Sequence, residues 1–283
     1  MILDRRTLLK LTAASGAALA FGANASFAQA PADTLRIGLS TYPAHLKPWV
    51  NVGYAGQLVS SLINRYLMTY TTEGKLVGEL AESFEREGDK AWIVKLKDAK
   101  FSNGQPVTAA DVEWNIEKIK AEGSGAYTRD AMLEVEKVEI VDERTFKLLT
   151  KTPNAALPAL FANPFLQIIA KGSTDTQDHG IGAGPFTLAN AEKGVGLDFE
   201  ASPHYFKAGF PKFKKVKVTA YADENLRVAA ITAGDVDVID YVPWSAMDQI
   251  GADANLGLET VATGAFMFLS FNGAGAFKDH RLR

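Results

Sequence analysis

The chain contains no cysteine. That excludes disulfides, a thiolate metal site and a cysteine nucleophile, and it leaves no residue for an acylated-cysteine anchor. Histidine is nearly as scarce: His45, His179, His204 and His280 stand far apart in the chain. None falls in a metal-ligand spacing, so neither a metal nor a cofactor is expected. There is no excess of positive charge either. Thirty Lys and Arg against 33 Asp and Glu give a net charge of −3, which argues against nucleic acid and against an anionic membrane surface as partners. No apolar run approaches the roughly 20 residues that a membrane-spanning helix needs. A P-loop is missing, and beyond residue 28 so is a Gly-x-Ser-x-Gly elbow. With no nucleophile–base constellation in sight, an enzyme is not expected.

What is there begins with a leader-like stretch. "MILDRRTLLKLTAASGAALAFGANASFAQA" has a basic start at Arg5, Arg6 and Lys10, a mildly apolar run from Leu11 to Phe21, and small residues around Ala28. This is the layout of a secretory signal peptide over residues 1–28, with cleavage expected after Ala28. The Arg5-Arg6 pair resembles a twin-arginine export signal, although Asp4 stands before it and the Sec route stays open. Removing residues 1–28 takes away three basic residues and one acid, leaving a net charge of −5. The expectation is a soluble, periplasmic chain without a lipid anchor.

The remainder alternates strands with helices, so the fold class is expected to be α/β (mixed α+β) with more than one sheet. Asp33 to Ser40 reads as a first strand, and Gln57 to Leu67 as a helix with Leu58, Leu62 and Tyr66 on one face. Hairpins are predicted around Gly88-Asp89 and Asp142-Glu143. Thr108-x-x-Asp111 marks the start of a helix over 109–120 with a capping-box-like signature. "FKKVKVTAYADENLRVAAITAGDVDVID" reads as strand, helix, strand, with Asp223 as N-cap and Gly234 as C-cap, in a parallel crossover. The last strands are predicted at 256–262 and 265–271.

Two motifs invite chemistry and are better explained by structure. "GIGAGPF" (Gly180 to Phe186) leads into a strand-like run and not a helix, so it reads as a tight backbone crossing and not a phosphate loop. "GDVDVID" sets Asp235 and Asp237 on one face of a short strand but lacks the ligands of a calcium loop, and it reads as a solvated face. Trp49, Tyr54, Tyr241 and Trp244 lie in loops at element ends, where aromatics can line a ligand cleft.

Several ordered motifs resemble those of periplasmic solute-binding proteins of ABC importers, family 5, the dipeptide-, oligopeptide- and nickel-binding group. "LRIGLSTYPAHLKPW" is similar to the family's opening strand and Leu-Asp-Pro loop, with Lys47 in place of Asp. "GKLVGELAESFE" is similar to its Gly-x-x-x-Pro-x-Leu-Ala-Glu-Ser-Trp segment, with Gly78 for Pro and Phe84 for Trp. "WIVKLKDAKFSNGQPVTAADVEWNIEKI" carries the strand, Lys-Phe-x-x-Gly turn and Thr-Ala-x-Asp-Val helix start. "GAGPF" and "ITAGDVDVID" match two further family segments.

The resemblance implies a two-lobed periplasmic binding protein type II-like fold. Lobe I would comprise residues 33–64 and 180–271, a small inserted domain would occupy 65–179, and 272–283 would open a second lobe that is missing. It implies a substrate-binding component that captures a peptide or similar small polar solute and delivers it to ABC permease subunits, acting as a monomer. By position, Gly53, Tyr54, Tyr241, Val242, Trp244 and Phe266 would line the lobe-I wall of the cleft. One lobe alone would bind ligand weakly or not at all, and residues from about Gly273, including Phe277, would be poorly packed. A secreted hydrolase, or an adhesion or chaperone module on the same fold, are the alternatives.

Overall fold

The structure is a computed structural model that describes residues 33–50 and 53–260, and residues 278, 279 and 281. The predicted leader, Phe266, Phe277 and the predicted strand at 265–271 lie outside the described residues. The chain divides into two compact units, residues 1–242 and 243–283, and each is described by itself.

The first unit holds two main sheets. The larger has strand order β11-β1-β10-β9-β8. Its members are β1 (Thr34–Leu39), β8 (Phe186–Glu192), β9 (Gly196–Ala201), β10 (Lys215–Ala220) and β11 (Val238–Ile239). β1 runs parallel to both β10 and β11, whereas β8, β9 and β10 pair antiparallel. The smaller sheet, order β4-β5-β7-β6, is antiparallel throughout and comprises β4 (Ala81–Glu87), β5 (Ala91–Leu96), β6 (Val135–Ile140) and β7 (Thr145–Thr150). A short hairpin pairs β2 (Met68–Tyr70) with β3 (Leu76–Gly78).

Period-two alternation explains the smaller sheet. Trp92, Val94 and Leu96 of β5 are buried, and their cross-strand partners on β7 include the buried Phe146 and Leu148. Helix α2 (Ala109–Lys120) adds Val112, Ile116 and Ile119 to the same core. Each such fully buried side chain contributes about 1.5–3 kcal/mol relative to exposure. The capping box expected of α2 is present: the Thr108 hydroxyl accepts from Asp111 N–H at 3.3 Å, and the Asp111 carboxylate accepts from Thr108 N–H at 2.9 Å. Short helices α3 (Arg129–Met132) and α4 (Leu157–Leu160) complete this part.

The larger sheet buries Ile37, Leu39, Phe199, Val216 and Val218 with helix α1 (Gly53–Ile63). That helix starts and ends about four residues earlier than 57–67, and its buried stripe is Ala55, Val59 and Ile63, with Leu58 and Leu62 only partly covered. The cause lies in "GIGAGPF". A Cβ on Gly182 or Gly184 would sit under 3.0 Å from Ile63 O, and Gly184 N–H donates to that carbonyl at 2.9 Å. The crossing backbone thus caps α1 at Ile63, and only glycine permits its approach.

Helix α5 (Glu224–Ala233) joins β10 to β11, with Asp223 accepting from Asn225 and Leu226 N–H at its start and Gly234 left-handed at its end, as expected. β11 is shorter than the motif suggested. Asp235 and Asp237 precede it and are exposed, as expected of a solvated face, but they lie outside the strand, and Asp237 also accepts from the guanidinium and the backbone N–H of Arg36. In the second unit, a 3-10 turn over Trp244–Ala246 leads into α6 (Met247–Ala252). Residues 256–260 form no strand with any described residue, contrary to expectation. Among the described residues no helix is long and apolar enough to cross a membrane.

Candidate functional site

β1, β10 and β11 are mutually parallel, so their carboxyl ends meet at one edge of the larger sheet. In open α/β sheets that edge is where ligands bind, because loops there can vary without disturbing the ladder. Three loop ends converge on it: Ser40 after β1, Tyr221 after β10, and Asp240-Tyr241 after β11.

A buried arginine organises these ends. Arg227, on α5, is 4% exposed. Its Nη1 donates to Tyr221 O at 2.8 Å, its Nε to Asp240 O at 3.0 Å and its Nη2 to Tyr241 O at 2.8 Å. The Asp240 carboxylate lies 3.8 Å from the same guanidinium. Asp240 in turn accepts from Ser40 N–H at 2.6 Å and from the Ser40 hydroxyl at 2.8 Å. Charge-assisted bonds of this kind are about twice as strong as neutral ones. They tie the ends of β10 and β11 to Arg227, and the end of β1 to Asp240.

A second ion pair secures the entry to β11. Arg36 on β1 holds Asp237 at 2.7 Å and also donates to Gly234 O at 2.7 Å. The hydrogen bonds from Arg36 hold the Asp237 carboxyl below the usual carboxylate range, outweighing desolvation.

Beyond this frame, Tyr241 adopts φ 45°, in the left-handed region that non-glycine residues seldom occupy. Its ring meets Tyr54 edge-to-face, with centroids 5.6 Å apart and planes at 83°. Tyr54 is the second residue of α1, placed by Gly53 at φ 76°. Both rings stay open, at 49% and 65% exposure. Desolvation pushes the Tyr54 phenol above its ordinary value, with Asp240 and Tyr241 acting in the same direction, so it remains a neutral donor at physiological pH.

Of the residues singled out in the sequence, Gly53, Tyr54 and Tyr241 come together here, with the half-buried Val242 next in chain. Trp244 belongs to the second unit and is 90% exposed; Phe266 lies outside the described residues. Trp49 is packed structure. It is buried, its indole N–H donates to Gln167 O at 3.0 Å, and it meets Trp114 edge-on at 6.1 Å. Arg227, Asp240 and Ser40 were not anticipated. The one available signal was Asp240 itself, a carboxylate closing an apolar strand and therefore in need of a partner. No cluster of three or more His, Cys, Asp or Glu suited to a metal ion occurs among the described residues.

The family model of bacterial extracellular solute-binding proteins, family 5 Middle, matches residues 75–283. The chain belongs to this family. As a family 5 chain it is 31% identical over 268 residues to the probable D,D-dipeptide-binding periplasmic protein DdpA of Escherichia coli K12, covering 88% of this chain and 49% of that protein. Glutathione-binding protein GsiB of Pectobacterium atrosepticum is 24% identical, with 76% of this chain and 43% of that protein covered. Among solved structures, AgaA of A. tumefacien R10 in complex with agropinic acid superposes with a TM-score of 0.75 at 36% identity, covering 78% of this chain and 46% of AgaA. OppA of Burkholderia pseudomallei gives a TM-score of 0.67 at 23% identity, over 77% of this chain and 48% of that one. The chain therefore spans about half the length of the relatives it matches.

Proposed function

We propose that this family 5 chain is, or is part of, the substrate-binding component of an ABC importer. In that role it captures a peptide or similar small polar solute in the periplasm and delivers it to permease subunits in the inner membrane. The observation that carries the reading is the open Tyr54–Tyr241 pair at the carboxyl ends of β1 and β11. Gly53, Tyr54, Tyr241 and Val242 would form one wall of the binding cleft. The rings supply apolar contact at low entropic cost, their hydroxyls supply donors, and the loop backbone supplies pairing for an extended solute. The names of the relatives, which refer to a D,D-dipeptide, glutathione and agropinic acid, favour a small polar solute over a macromolecule.

The test is a calorimetric titration of this chain with a D,D-dipeptide, glutathione, agropinic acid and a mixed oligopeptide pool. One of them should give saturable but weak binding, since these residues form only one wall of the cleft. Tyr54→Ala and Tyr241→Ala should each weaken it about tenfold, or ~1.4 kcal/mol. Saturable binding unchanged in both variants would remove the tyrosine pair from the site. Binding of none would remove the reading for this chain.

A further inference from the structure

We propose a second binding site, for a small oxyanion such as phosphate or a carboxylate, in the cleft between the carboxyl end of α1 and the β2–β3 hairpin. This inference does not rest on the proposed transport role. α1 has 11 residues, so its two ends stand about 15 Å apart, and the cleft is separate from the tyrosine pair at the other end.

The cleft has a volume of about 670 Å³, and its wall includes Arg65, Lys97 and Lys207 but a single acid, Glu79. Glu79 is already saturated: its side chain is 6% exposed, with Oε1 3.0 Å from Arg65 Nε and Oε2 2.6 Å from Lys207 Nζ. The wall thus carries a surplus of two positive charges in a chain whose net charge is negative. Arg65 is spent on structure, because it also serves the Tyr205 hydroxyl and the Ser61 and Asn64 carbonyls. The two ammonium groups are not spent. Lys97 Nζ donates to Gly78 O at 2.8 Å and Lys207 Nζ to Glu79, and no other hydrogen bond from either is formed among the described residues. An ammonium has three donors, so each keeps two in reserve. Their anchors, Gly78 and Glu79, are consecutive, and both lysines line the same cleft.

Tyr66 lines the same cleft, and its hydroxyl donates to no described residue. Burial pushes this phenol above its ordinary value, so it stays protonated and able to donate. Clustered cations in a recess with low-dielectric walls concentrate field and attract an anion. Two ammonium groups and a phenol are the donor set that oxygen anions take through charge-assisted bonds.

The test is a titration of the chain with inorganic phosphate and with acetate at constant ionic strength, with chloride as control. One of the two should bind saturably at a single site in the millimolar range or tighter, near −4 kcal/mol or better. Lys97→Met should weaken binding at least tenfold and Tyr66→Phe several-fold, while Tyr54→Ala should leave it unchanged. Lys207→Met should act like Lys97→Met; should it fail to fold after leaving Glu79 with one partner, Lys97→Met decides alone. Saturation by chloride equal to that by the oxyanions, absence of saturation by either, or binding unchanged in Lys97→Met would each overturn the assignment.

Discussion

Replacing Arg227 with Met keeps the length of the stem and removes the guanidinium that holds Tyr221, Asp240 and Tyr241. Three carbonyls, that of Asp240 buried and those of Tyr221 and Tyr241 part-buried, would lose their charged donor, and the Asp240 carboxylate would be left to its bonds from Ser40. Each orphaned group taken alone would cost about 1–3 kcal/mol. Their sum overshoots, because the groups share one side chain and the loop can shift toward water. Breaking a buried pair from one side costs about 3–5 kcal/mol, and that is the expected loss. For a folded unit of this size it corresponds to a fall in Tm of about 10 °C. A left-handed tyrosine stores about 1–3 kcal/mol of backbone strain that its surroundings must hold. With its carbonyl released, Tyr241 should relax to negative φ and leave Tyr54. The assays are urea denaturation, together with the ring-current shift that each tyrosine imposes on the other. Arg227→Lys should recover only part of the loss, since one ammonium cannot reach three diverging carbonyls. A loss under about 1 kcal/mol with the tyrosine shifts intact would refute this account of the site.

Gly184→Ala places a Cβ under 3.0 Å from three backbone atoms of Leu62 and Ile63, and should cost about 3 kcal/mol or more through a forced shift of the backbone, read as a lowered urea midpoint. Thr108→Ala should cost about 1 kcal/mol, as for a lost helix cap. Asp111→Ala should cost clearly more, because Asp111 also accepts from Lys171 N–H at 2.8 Å; equal losses would show that only the cap matters. Burial lowers the His179 imidazole below its ordinary value against the pull of Asp178. The unfolded chain therefore takes up that proton first, so this contribution to stability is complete above about pH 6.5 and is lost as pH falls below it. Wild type should lose more stability than His179→Gln between pH 7.5 and 5.5, and an NMR titration placing the imidazole above its ordinary value would contradict the sign.

The parts legible in the sequence were those fixed by local chemistry. α2 was readable from Thr108 and Asp111 because a capping box is contained in four residues. The hairpin strands β4–β5 and β6–β7 were readable because alternation and turn residues adjoin in sequence. The reading of α1 was displaced because its end is set by Gly184, more than a hundred residues downstream, and not by any stop signal of its own. β11 was read too long for the same reason: Asp237 pairs with Arg36 across 201 residues. Tyr54 and Tyr241 could be singled out as loop aromatics, but their contact depends on β1 and β11 being neighbours. Nothing local marks Arg227, because two of its three carbonyl partners lie 13 and 14 residues further along the chain.

That arginine also explains how so short a strand can present an exposed tyrosine. β11 shares only two register positions with β1, Ile37↔Val238 and Gly38↔Ile239. A two-residue ladder is weak support for a loop that must hold a tyrosine in a disfavoured conformation. Side chains supply what the ladder lacks. Arg36 closes the entry to β11 through Asp237, and Arg227 closes its exit through the carbonyls of Asp240 and Tyr241. The exposed tyrosine pair is therefore the outer layer of a polar frame whose Arg227–Asp240 half is buried. Substitutions in that frame should alter ligand contact and stability together, whereas substitution of Tyr54 or Tyr241 alone should alter contact and leave the fold nearly unchanged.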